Sequence, residues 1–219
     1  MIIKVIDCHV PTDKRGRFSH AQEQWKSLKT IDGFYGQIGG WDIYNSNRSI
    51  IIAFWRDHDS YKAFMENDHD LITTQNQQDK TYNSISVKLF DKLLDIQHQD
   101  IKQVLKNGNV LRMAECFVQP SREEHFVRMQ KEVWNPKMAE STGMLGGIFA
   151  KGGSELYQYL VVTLWDELSS HHTYKTNDVP WLIEKSQVKK DTREIYGGLV
   201  LLEMKWKVDT SPFKGETNI

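Results

Sequence analysis

The spacing of apolar residues along this chain changes period in a fixed order, and does so twice. Residues 2–10 read as a strand, Ile2-Ile3-Lys4-Val5-Ile6 running on to a stop at Pro11. Phe18, Ala21, Trp25 and Leu28 then recur at helical spacing and predict a helix over 16–28 with one apolar face. Gly33, Gly36, Gly39 and Gly40 punctuate a second strand, Asn45-Ser46-Asn47 makes a turn, and 48–55 is a third, β-favouring strand. Asp57-His58-Asp59-Ser60 offers N-caps for a helix running to residue 77, and 85–90 closes the set as a strand.

The order then returns. Cys8 recurs as Cys116, Trp25 as Trp134, Gly33 and Gly36 as Gly143 and Gly146, and Asn67-Asp68 as Asn177-Asp178, at separations of 108 to 110 residues. Ile51-Ile52-Ala53-Phe54-Trp55 recurs as Val161-Val162-Thr163-Leu164-Trp165. A slowly drifting offset marks two copies of one domain with small loop insertions, and it is far longer than the roughly 20–50 residues of a solenoid repeat. In the second copy Ser121-Arg122-Glu123-Glu124 reads as a capping box before a helix carrying Phe126, Met129 and Val133. Asn135-Pro136 should break and restart that helix. Gly152-Gly153 replaces the Asn-rich turn, 157–165 is the third strand, Asp178 with Pro180 starts a new helix, and 196–205 is the closing strand.

Between the copies, 92–106 predicts a linking helix with Leu94, Ile101, Val104 and Leu105 on one stripe and Asn107-Gly108 as its C-cap. The expected organisation is a first repeat over 1–91, a linking helix over 92–108, a second repeat over 109–208 and a polar tail over 209–219. The fold class is α+β, two tandem ferredoxin-like βαββαβ repeats.

Charge narrows the partners. With 28 Lys and Arg against 29 Asp and Glu, the net charge of −1 gives no field to attract nucleic acid or an anionic membrane. Lys189-Lys190 with Arg193 is too short and too mixed with acids to form a patch. No run approaches the roughly 18 apolar residues of a membrane span, and no signal-peptide pattern follows Met1, so a cytoplasmic location is expected. The two cysteines share one strand-centre position, which predicts small buried hydrophobes.

The run Phe54-Trp55-Arg56-Asp57-His58-Asp59, followed by a helix ending in Asn67-Asp68-His69, resembles the dimeric α+β barrel superfamily of antibiotic-biosynthesis-type monooxygenases. Leu164-Trp165-Asp166-Glu167 through Asn177-Asp178 matches it more loosely. The resemblance implies that the two sheets pack face to face into an intrachain barrel, a pseudo-dimer that could pair further as a homodimer. It also implies a pocket between sheet and helices of one half. Strands 50–55 and 160–165 fit, being apolar throughout as strands covered on both faces should be.

The implied function is binding of a small apolar or aromatic molecule, with cofactor-independent oxygenation as the reaction. A proton acceptor would deprotonate an electron-rich substrate, whose carbanion reacts with oxygen. Asp7 and His69 are the candidate catalytic residues; Trp55, Phe64, Trp165 and Tyr174, with Cys8 and Cys116, are the candidate ligand-binding residues. Asp7-Cys8 and Glu115-Cys116 place an acid beside a thiol, and strand alternation sends the two to opposite faces. His58, His171 and His172 are expected on exposed helix faces. Among eight histidines none stands at a zinc-ligand spacing from Cys or acid, so no metal is expected.

Two other readings remain open: a non-catalytic binding or stress-response protein, and a haem or porphyrin protein. The haem-degrading branch of the superfamily uses an Asn on the first strand, a Trp on the second helix and a later His. The approximate matches are Cys8, Phe64 and Thr74 in one copy and Cys116, Tyr174 and Glu184 in the other. None is kept, which speaks against haem breakdown by that route, while haem binding through His69 stays open.

Overall fold

A computed structural model describes residues 1–97, 100–153 and 155–210. In the first half, β1 (Ile2–His9) lies between β3 (Arg48–Trp55) and β4 (Ser84–Ile96), and β2 (Phe34–Asp42) pairs with β3. In the second, β5 (Val110–Val118) lies between β7 (Gln158–Trp165) and β8 (Thr192–Leu202), and β6 (Met144–Gly152) pairs with β7. β4 pairs with β6 and β8 with β2, so eight antiparallel strands close into a ring. A short β9 (Val208–Asp209) adds to β2.

Strand alternation sorts the residues of the ring. Ile3 and Val5 on β1, Leu111 and Met113 on β5, and Ile50, Ile52 and Phe54 on β3 all point inward and form the largest core cluster. Closure leaves no edge along most of the sheet, and it buries β3 and β7 on both faces, which accounts for their unbroken apolar sequences. One mouth is filled by α4 (Ile101–Asn107), whose Val104 and Leu105 join that cluster. Gly36 and Gly146 make room for the plug: a Cβ would stand 2.7 Å from Leu105 Cδ1 at the first and 2.8 Å from Val104 Cγ2 at the second.

Helices cover the outside: α1 (Arg15–Glu23), α2 (His58–Asn67) and α3 (His69–Asn76) over the first half. Over the second lie α5 (Glu123–Met129), α6 (Asn135–Ala139), α7 (Leu168–Asn177), α8 (Val179–Ser186) and α9 (Val188–Asp191). None of the helices among the described residues is long and apolar enough to cross a membrane. The same local devices recur at matching places. Gly33 and Gly143 take φ of +74° and +82°, and their carbonyls accept from the backbone N–H of Arg56 and Asp166. Gln77 and Gln187, at φ 46° and 53°, end α3 and α8 in the left-handed conformation.

Four expectations are corrected. Residues 92–96 extend β4 instead of starting a linking helix, because Leu94, Asp95 and Ile96 find partners on β6, a pairing between distant parts of the chain that local pattern does not register. Only Ile101–Asn107 is helical; His98 and Gln99 lie outside the described residues. The capping box at 121–124 does not form: Arg122 is the N-cap without a side-chain bond, while Glu123 accepts from the Tyr159 hydroxyl and Lys151. A capping box is made instead by Asp57 and Ser60 at the start of α2. The closing strand begins at Thr192 and ends at Leu202, where a 3₁₀ turn over Met204–Trp206 carries the chain back to the first half. Of the expected tail, Asp209 belongs to β9, and 211–219 lie outside the described residues.

Candidate functional site

In each half the outward face of the sheet meets a helical layer, but the two gaps are filled differently. In the first, Trp55 stacks on Phe64 at 4.8 Å and meets Phe34 edge-on at 5.0 Å. Beside them Trp206, delivered by the turn after β8, lies within 5.3 Å of Trp41 and 5.6 Å of Phe18, and donates to Ser19 Oγ at 3.0 Å. Cys8 is buried in this second cluster.

The second half leaves a predominantly apolar cavity of about 580 Å³. Its floor is the outward face of β5, on which Arg112, Ala114 and Cys116 alternate, together with Val161 and Thr163 of β7. Its wall is built by a helix that restarts at Pro136. Proline offers no N–H, and the chain before it widens into a π turn over Gln130–Trp134. Gln130, Trp134 and Met138 thereby come to line the cavity, with Gln130 fixed by donating to Asn135 Oδ1 at 2.7 Å. His171 and Tyr174 of α7 form the opposite wall, and Tyr44 and Lys175, in contact at 3.3 Å, sit at the rim.

The polar groups of this cavity have distinct states. Burial pushes the Cys116 thiol up to about 12, so it is a protonated packing group and not a nucleophile. Burial also raises the Tyr174 phenol well above its ordinary range. His171 is 3% exposed; burial first, then the Arg112 charge, pull its pKa down to about 4, and its Nδ1 has no hydrogen-bond partner. At neutral pH it is an uncharged imidazole held edge-on 5.3 Å from Trp165. Arg112 has its pKa lowered by burial, and among the described residues no carboxylate pairs with it. Arginine stays charged under such a shift, so the cavity holds a bare cation. At the rim Arg48 is already satisfied, with Asp7 at 2.6 Å and Asp42 at 3.1 Å.

Of the residues expected at a site, Cys116 and Tyr174 line the cavity, with fully buried Trp165 behind Tyr174 at 5.1 Å. Cys8, Trp55 and Phe64 lie instead in the filled first half. Asp7 sits on the inward parity of β1, paired with Arg48, and does not line the cavity. His69 packs against Trp25 at 5.9 Å and Phe64 at 5.7 Å, also outside it. His58 and His172 are exposed as expected, but His171 is not: α7 turns it inward onto Trp165. The reading from sequence missed Arg112. Its signal was a cation at the same place in both first strands, Lys4 and Arg112, flanked by apolar residues.

Comparison with known proteins places this geometry. In structure, a candidate monooxygenase from Fusobacterium nucleatum subsp. nucleatum ATCC 25586 superposes with a TM-score of 0.74 at 13% identity, covering 92% of this chain and 91% of that one. A candidate monooxygenase from Lactobacillus acidophilus NCFM gives 0.69 at 12% identity, over 95% of each chain. LmHde, the heme-degrading enzyme of Listeria monocytogenes, gives 0.53 at 10%, over 92% of this chain and 99% of that one. At such identities the likeness shows the fold alone, a mixed α+β barrel with ferredoxin-fold neighbours. In sequence, YdbC of Bacillus subtilis (strain 168), described as an uncharacterized protein, is 37% identical over 118 residues, 51% of this chain and 99% of YdbC. Residues 2–90 match the family model described as domain of unknown function DUF4937. A relative matched at that identity over nearly its whole length, together with this family model on the first half, makes the chain a member of the DUF4937 family.

Proposed function

We propose that this protein binds a small, largely apolar or aromatic molecule in the second-half cavity and oxygenates it without a resident cofactor. The carrying observation is the contrast between the halves: one gap is packed with tryptophan and phenylalanine, and the other is open for about 580 Å³ and walled by a neutral histidine. We read the halves as tandem ferredoxin-like repeats, supported by the shared strand order and by paired devices such as Gly33 with Gly143. On this reading the first copy became structural and the second kept the pocket. The monooxygenase-named neighbours support the reaction class by fold analogy.

In the proposed step a substrate carbon acid gives its proton to the neutral imidazole of His171, the carbanion bonds dioxygen to give a peroxide, and loss of water from the protonated peroxide leaves the carbonyl product. Asp7 and His69 lie outside the cavity, so proton acceptance is assigned to His171. Apolar walls exclude water from the carbanion. The test is oxygen uptake with a panel of anthrone- and hydroquinone-type carbon acids, without added metal or flavin, with Ala114→Phe as a cavity-filling control. Uptake above the uncatalysed rate that is lost in Ala114→Phe and in His171→Phe supports the reading. Uptake equal in all three proteins rejects oxygenation in this cavity.

A further inference from the structure

The first strands of the two halves each carry one cation on the helix-facing side. Lys4 is opposite Ala53 and Leu89; Arg112 is opposite Thr163 and Leu199, the same places in the second half. Their surroundings differ. Lys4 lies 5.4 Å from the Tyr61 ring centroid in the filled first half, where the aromatic face supplies partial compensation. Arg112 opens into the cavity. Among the described residues it has neither a hydrogen bond nor an ion pair. The carboxylate nearest in kind, Asp42 at the rim, is committed to Arg48. Lys175 and Lys189 also line the cavity, and among the described residues neither pairs with a carboxylate. A buried guanidinium left bare costs free energy, and folded proteins keep such a group where a ligand completes it.

We propose that Arg112 is the counter-ion of the ligand, so that the cavity selects a compact anion: a single carboxylate, sulfonate or ionised phenol on an apolar or aromatic body. The proposal rests on the ligand-binding reading of the same cavity and adds the ligand's charge. The anion lies on the β5 floor against Arg112, and the apolar body reaches toward Trp134 and Met138.

The test uses two probes with one skeleton. 8-Anilinonaphthalene-1-sulfonate carries a sulfonate; N-phenyl-1-naphthylamine lacks it. Both are titrated by fluorescence against the full chain, Arg112→Met, Arg112→Lys and the cavity-filling Ala114→Phe, with folding of each variant checked by circular dichroism. In the unaltered protein the sulfonate should bind about tenfold or more tighter than the neutral probe, the size of a charge-assisted hydrogen bond. Arg112→Met should remove that advantage and leave the neutral probe's affinity within about twofold. Arg112→Lys should restore part of it, and Ala114→Phe should abolish both. Equal binding of the two probes, unchanged by Arg112→Met, would overturn the anion proposal while sparing the cavity reading. Failure of either probe to bind, or binding that survives Ala114→Phe, would overturn the cavity reading and the proposal with it.

Discussion

Replacing Arg112 by methionine should make the protein more stable, although most substitutions of half-buried residues do the reverse. The stem of Arg112 runs over the apolar β5 floor while its guanidinium faces the cavity without a partner. Methionine keeps the stem's packing and removes the uncompensated charge. Exchanging even a paired buried ion cluster for apolar residues gains about 1–4 kcal/mol. The cavity leaves Arg112 partly in contact with solvent, so the lower part of that range applies, about 1–2 kcal/mol. For a chain of this size each kcal/mol moves Tm by about 2–4 °C, giving a rise of about 2–8 °C. Arg122 supplies the control. Its Nε lies 2.7 Å from Asp191, a carboxylate with 0% exposure that also meets His125 at 2.7 Å. Arg122→Met leaves that carboxylate only His125 and should cost about 1–3 kcal/mol. Differential scanning calorimetry of both variants decides the matter. A fall in Tm for Arg112→Met, or shifts of the same sign in the two, would refute the claim that Arg112 is held against its own cost.

Three further outcomes are expected. His171 titrates near 6.5 when unfolded and near 4 when folded, so between those values the unfolded chain binds the extra proton and stability falls as pH drops from 6.5 to 4. The full linkage is about 3 kcal/mol, reduced where cavity solvent reaches the ring; urea titrations of the protein and of His171→Phe should diverge over that window, and parallel curves would contradict it. Gly40→Ala should cost about 2–4 kcal/mol because its Cβ would land on the Leu201 carbonyl where β2 closes onto β8, whereas Gly16→Ala, with nothing within 4 Å, should gain about 0.5–1 kcal/mol; thermal melts that fail to separate the two would be inconsistent with ring closure at that point. Trp206→Ala should cost about 3–5 kcal/mol and open the first half, read as a second equivalent of N-phenyl-1-naphthylamine bound; unchanged stoichiometry would mean that the gap collapses or that Trp206 is not what fills it.

Local pattern carried much of the architecture. The apolar, β-favouring runs of β1, β3, β5 and β7, the Asp57 cap, the restart at Pro136 and the duplicated glycines are short-range features, and each lies where its residues predict. The errors fall where a partner far along the chain decides. Residues 92–96 have an apolar pattern compatible with helix or strand, and the β6 edge resolves it. Ser121 and Glu124 have the spacing of a capping box, but the helix starts at Glu123 with Arg122 as its N-cap, while the Glu123 carboxylate is held by Tyr159 and Lys151.

The site was less legible for a related reason. Cys116 and Tyr174 were reachable because they repeat Cys8 and Phe64 in position, yet repetition gave no ground for preferring one copy. His171 sits beside His172 in sequence, and only the angle of α7 against β7 turns one inward and leaves the other in water.

By itself, then, the sequence determined the mixed α+β class, the apolar centre of each strand and the buried state of both cysteines, since these depend on residue periodicity and transfer from water. Tertiary structure decided which half is hollow. The same kinds of residue surround both gaps, and the difference is that the turn after β8 carries Trp206 into the first, while among the described residues none fills the second or pairs with Arg112. That outcome depends on where distant segments end in space, which no local period encodes.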